Sequence, residues 1–159
     1  MNAIASTLHH DSLLHFELLS LARLDALLEV ENAAYTHPWT RGNFIDAIAV
    51  GYQIQLLMQE DQIVGYFVAM QGVDEVHLLN ITVAPRFQQQ GWARVLLDSL
   101  VLWSRGRQAQ WLWLEVRQSN LRAQHVYLQY GFQSVGQRKR YYPAENGERE
   151  DAIVMSIKL

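Results

Sequence analysis

Residues 77–94 read HLLNITVAPRFQQQGWAR, an apolar run that passes through a polar turn into a helical pattern. Leu78, Leu79, Ile81 and Val83 have the composition of a buried strand, and Ala84-Pro85 ends it because proline cannot donate to a ladder. Gly91 opens the helix that follows. A helix N-terminus presents amides without intrahelical partners, and its dipole adds partial positive charge, so this turn is suited to an anion such as a pyrophosphate. An ordinary strand-turn-helix, with Gly91 serving tight packing, fits the same residues.

Working outward on the C-terminal side, Ala93, Leu96, Leu97, Leu100, Val101 and Ser104 recur at helical spacing, and Gly106 beside Arg105 and Arg107 marks the end. Residues 111–116, WLWLEV, then predict a strand buried on both faces. Asn120 is placed as N-cap of a helix carrying Ala123, Val126, Tyr127 and Tyr130, with Gly131 at its end. Residues 132–142 and 150–157 read as a final antiparallel pair around the 143–147 turn.

On the N-terminal side, residues 52–59, 63–71 and 77–83 form an antiparallel meander with polar or glycine-bearing turns between them. Before it, residues 15–20 read as a short strand. A helix from Leu24 carries Leu27, Leu28, Ala34 and Tyr35, with Glu31 interrupting its apolar stripe either at an exposed edge or near a site. Residues 36–40, THPWT, break that helix, and Thr40 caps a shorter one through Ile48. His37 and Trp39 either border a substrate groove or pack back on the core. The order predicts an α/β (α+β) fold: a mixed, mostly antiparallel central sheet with helices on both faces and one parallel crossover between the strands at His77 and Trp111.

The chain has 159 residues, half of them hydrophobic, which suits one domain spanning 1–159 with residues 1–14 as a loosely ordered extension. Net charge is -3 with a pI near 6.0, and no basic run exceeds Arg138-Lys139-Arg140, which argues against nucleic-acid backbone binding. Absence of cysteine excludes disulfides and thiolate chemistry from within the chain. The start, MNAIASTLHH, lacks a cationic lead and apolar run, and the most apolar helix is interrupted by Asp98, Ser99 and Arg105, so a cytoplasmic protein without a membrane partner is the expectation. His9 and His10 lack spaced partners, and no metal is expected.

The turn Gln88-Gln89-Gln90-Gly91-Trp92-Ala93 resembles the Q/R-x-x-G-x-G/A signature of the GNAT superfamily of N-acetyltransferases. From about Glu29 to the C-terminus the chain is similar to its ribosomal-protein alanine N-acetyltransferases, the RimI subfamily. That likeness rests on Asn80-Ile81-Thr82-Val83, the turn, Trp113-Leu114-Glu115-Val116-Arg117 with Ser119-Asn120, Tyr127 with Gly131-Phe132, and Arg140-Tyr141-Tyr142-Pro143 leading to residues 150–155, EDAIVM. The resemblance implies acetyl-CoA as acetyl donor. Its pyrophosphate would lie on the amides of Gln89, Gln90, Gly91, Trp92, Ala93 and Arg94, its pantetheine arm along Ile81, Thr82 and Val83, with Asn120 bonding the cofactor. Ala93 stands in place of a second glycine, and Trp92 is bulkier than the family pattern leads one to expect.

Acetyl transfer needs a neutral amine, and a protein α-amine, with a pKa near 8, needs only a modest base. The resemblance makes Glu115 that base, acting directly or through water, and Tyr127 the general acid that protonates the leaving thiolate. On the residues alone, Glu115 could instead pair with Arg117 or Arg94, and Tyr127 could be a core tyrosine, with Tyr130 an equal claimant. The implied acceptor is an N-terminal alanine of a basic ribosomal protein, the eighteenth of the small subunit, with Glu145, Glu148, Glu150 and Asp151 able to steer it. A GNAT enzyme acting on a small amine, and a non-catalytic acetyl-CoA-binding module, are the other readings; retention of both Glu115 and Tyr127 speaks against the module.

Overall fold

The structure, a computed structural model, describes residues 13–159, so His9, His10 and most of the expected N-terminal extension lie outside the described residues. β1 (Leu14–Leu18) leads into α1 (Leu21–Ala34) and α2 (Arg41–Ala49), followed by the meander β2 (Gln53–Gln59), β3 (Gln62–Gln71) and β4 (Glu75–Val83). Then come α3 (Trp92–Gly106), β5 (Trp111–Arg117), α4 (Leu121–Tyr130), β6 (Gln133–Pro143) and β7 (Arg149–Lys158). The strands form one sheet in the order β1-β2-β3-β4-β5-β7-β6. Among the described strands only the β4–β5 pair is parallel, and α3 is its crossover.

Helices cover both faces, as the sequence predicts, but they cover different halves of the sheet. Leu24 and Leu27 of α1 and Phe44 and Ala47 of α2 pack on Ile54, Leu56, Tyr66 and Val68 of β2 and β3. On the other face, Leu96, Leu97 and Leu100 of α3 and Tyr127 of α4 pack on Leu78, Leu112, Leu114 and Val116. Each buried leucine there contributes about 1.5–3 kcal/mol of apolar transfer. Strand β5 therefore corrects the expectation of burial on both faces: Leu112, Leu114 and Val116 are buried, while Trp113, Glu115 and Arg117 face the side that α1 and α2 do not reach. Gly106 is the last residue of α3, as the sequence predicts, and the left-handed residue beyond it is Gln108, at φ 61°.

Two irregularities open the sheet. β4 pairs with β5 only from Glu75 to Leu78, against Trp111 to Leu114. Beyond that, the β3–β4 register slips: Val68 faces Asn80 while Ala69 faces Leu78, leaving Leu79 extra. Such a bulge bends its strand and increases the local twist. Residues 80–83 thus leave β5, whose end continues along β7, and the strands splay apart. β3 follows β4 closely enough that a Cβ on Gly65 would sit 2.5 Å from the Thr82 carbonyl oxygen, so only glycine fits.

Candidate active site

The turn before α3 is built from backbone. Gln89 and Gly91 both take left-handed conformations, at φ 61° and 87°. No side chain caps α3 and no acidic residue stands in its first turn, so its amides are left for a ligand. A Cβ on Gly91 would meet nothing within 4 Å, which corrects the packing explanation: glycine is needed here for its φ, not for space. The cleft above the turn, about 510 Å³, is walled by Gln89, Gly91, Trp92, Ala93 and Arg94 on one side and by Asn120, Arg122 and Tyr127 on the other. Arg122, which the sequence reading passed over, adds a cation at the start of α4; with its amide oxygen turned to the guanidinium, Gln89 accepts from it at 3.0 Å. Gln90 is off this wall, its amide donating to the Arg86 carbonyl at 3.3 Å. Trp92 packs its ring against the core cluster beside α3.

Where β4 and β5 separate, a second cleft of about 420 Å³ opens between Leu78–Ile81 and Leu114–Arg117. Trp39, Tyr142 and Pro143 close its ends, so the THPWT loop borders a groove, although Trp39 also packs against Phe44, centroids 5.2 Å apart. The bulged end of β4 is held by a chain of polar contacts running to α1. Tyr35 donates to the Ile81 carbonyl at 2.9 Å and lies 2.7 Å from Thr82 Oγ1, which donates to Asn80 Oδ1 at 2.8 Å. Asn80 Nδ2 in turn donates to both oxygens of Glu31, which also accept from the Trp39 amide and the Tyr66 hydroxyl. Glu31 is thus a buried carboxylate near a site, not an exposed edge. Burial of the Tyr35 hydroxyl pushes its pKa up to about 12, against the lowering effect of Thr82, with the Glu31 charge adding to the rise. Thr82 is spent in this network and its carbonyl faces β3, while Ile81 and Val83 line the first cleft.

Glu115 lines the second cleft from β5. Its partners are neither Arg117 nor Arg94. Arg138 Nε reaches Oε1 at 3.0 Å, and His77 Nε2 lies 2.5 Å from Oε2. Arg117 is taken by Glu150 at 2.8 Å and by the Pro143 carbonyl at 2.7 Å, and Arg94 lies over the Tyr130 ring. Arg138 can reach because β6 bulges between Arg138 and Tyr142, a kink in which Arg140 is at φ 52° and donates its amide to Asp151. Glu150 and Asp151, read in the sequence as steering charges, therefore hold this hairpin. The Arg117 guanidinium keeps the Glu150 carboxyl below its ordinary pKa.

Tyr127 sits where the clefts meet, with Tyr35, Ile81, Asn120 and Ala123 the other residues common to both walls. Its hydroxyl bonds to no other described residue, and burial pushes its pKa up, so it stays protonated through neutral pH. Tyr130, the rival from periodicity, donates instead to Asp98 at 2.7 Å. Asn120 caps α4, its Oδ1 accepting from the Ala123 amide at 3.1 Å.

The acetyltransferase (GNAT) family matches residues 24–132. The chain is 38% identical over 133 residues to the [ribosomal protein bS18]-alanine N-acetyltransferase of Haemophilus ducreyi, covering 84% of this chain and 92% of that protein. It is 35% identical over 141 residues to the Escherichia coli K12 protein of the same name, covering 89% and 95%. The crystal structure of the ribosomal-protein-S18-alanine N-acetyltransferase from Escherichia coli superposes with a TM-score of 0.83 at 34% identity, over 92% of this chain and 94% of that one.

Proposed function

The chain belongs to the acetyltransferase (GNAT) family, and we propose that it carries acetyl from acetyl-CoA to the α-amine of a protein N-terminus beginning with alanine. The observation that carries this reading is the meeting of two clefts at Tyr127: one leads to the uncapped amides of α3, the other holds Glu115. The residues of the first cleft fit acetyl-CoA, since unpartnered amides, Arg94 and Arg122 suit a pyrophosphate. When bound, it supplies an acetyl thioester.

The chain's own residues then have separable tasks. The backbone of Ile81 and Val83, which line the first cleft, orients the pantetheine arm. Glu115 takes a proton from the incoming ammonium, directly or through water, and Tyr127, kept protonated by burial, gives its proton to the departing sulfur. The relatives named as bS18-alanine N-acetyltransferases support an alanine-bearing ribosomal protein as acceptor, and so a cytoplasmic site of action. Among the described residues no helix is long and apolar enough to cross a membrane.

The test is CoA release from acetyl-CoA with a short basic peptide bearing a free N-terminal alanine, beside the same peptide N-blocked but containing lysine, and beside spermidine. Turnover on the free-alanine peptide alone is expected. Turnover on spermidine alone contradicts the proposed acceptor.

A further inference from the structure

Glu115 forms part of the acceptor cleft, yet the protein already engages both its oxygens, Oε1 through Arg138 and Oε2 through His77. At 2.5 Å, a ring nitrogen facing a carboxylate oxygen has a proton between them, so the Nε2–H donates. The imidazole lies flat on Trp113, centroids 3.6 Å apart and planes within 10°. Its side chain is 11% exposed and is not part of the cleft wall, so it meets the reaction only through Glu115.

Resting on the acyltransferase reading above, we infer that His77 is the positioning residue of the base: its Nε2–H fixes one oxygen of Glu115 while Arg138 fixes the other, leaving the remaining lone pairs for the acceptor nitrogen. A glutamate held from two sides on a stacked ring is preorganised, where a free one would sample several rotamers. The other charged or titratable groups facing the pair are Arg138, Tyr141 and Tyr142 of β6; across β3 the neighbour of His77 is Met70, which does not titrate.

Two substitutions separate the donor from the stack. His77→Phe keeps a flat ring for Trp113 and removes the donor; His77→Gln keeps an N–H donor and removes the ring. Both are compared with wild type on the free-alanine peptide at about pH 8, with Tm as a fold check. His77→Phe is expected to lower kcat about tenfold or more at pH 8 with both KM values unchanged. His77→Gln is expected to return kcat to within about threefold of wild type. Wild-type kcat in His77→Phe, or a kcat in His77→Gln as low as in His77→Phe, overturns the assignment. Should His77→Phe fail to fold, His77→Leu, which also removes the donor, takes its place. Wild-type kcat in the variant lacking the donor removes only the role of His77, whereas no wild-type turnover on any amine removes the acyltransferase reading and this role with it.

Discussion

The Gly91 turn offers its uncapped amides from one short run of backbone, whereas Glu115 depends on His77 from β4 and Arg138 from β6, strands that reach it only through the sheet. The first site is defined by φ angles and tolerates changes of side chain. The second is defined by side chains and depends on where two strands bulge. They meet at Tyr127, and substitutions should therefore fail in different ways on its two sides.

The largest effect is expected on the side-chain half. Glu115→Gln keeps the shape and removes the basic oxygen, and kcat should fall about 10²- to 10⁴-fold with the KM for acetyl-CoA unchanged. A change in that KM comparable to the change in kcat would show that the two halves are not separable. Tyr127→Phe should lower kcat by about 10- to 100-fold. Because burial raises the Tyr127 pKa, its proton is retained as pH rises, and the wild-type rate should show no loss from this group below about pH 10.

The backbone half should respond to conformation. Gly91→Ala introduces a Cβ that touches nothing but must hold φ 87°, a strain of about 1–2 kcal/mol. The KM for acetyl-CoA should rise up to about tenfold while kcat with the peptide changes little. Asn120→Ala removes the α4 cap at about 1 kcal/mol, which for a domain of this size is about 2–4 °C in Tm. Smallest is Glu150→Gln, less than about 1 kcal/mol. The folded pKa of Glu150 is depressed, so its contribution is present above the unfolded carboxylate pKa and is lost as pH falls through the folded one. The Tm gap between wild type and this variant should therefore close in acid.

The same contrast explains what could be read in the sequence. Helix periods, the Thr40 and Asn120 caps, the meander and the Gly91 turn are local patterns, and each appears within a residue or a few of its predicted place. Element order was enough to give the parallel β4–β5 crossover. What escaped is what depends on pairing between distant segments. Nothing near Glu115 announces His77 or Arg138, because the stack and the contact exist only once β4 and β5 lie in parallel register and β6 has bulged. The apolar run WLWLEV looked buried on both faces because its tryptophans are hydrophobic, yet Trp113 serves as the platform for an imidazole on the half of its face that α1 and α2 leave uncovered. Leu79 carries no sequence sign of being the extra residue that opens the cleft.

Chemistry at the junction of the two clefts is tested most directly by a crystal structure with CoA covalently linked to the α-nitrogen of a short alanine peptide. The pyrophosphate is expected on the amides of residues 89–94, the sulfur within hydrogen-bond distance of the Tyr127 hydroxyl, and the alanine nitrogen facing Glu115 directly or across one water. A conjugate bound with its nitrogen away from Glu115, or its sulfur out of reach of Tyr127, would contradict it.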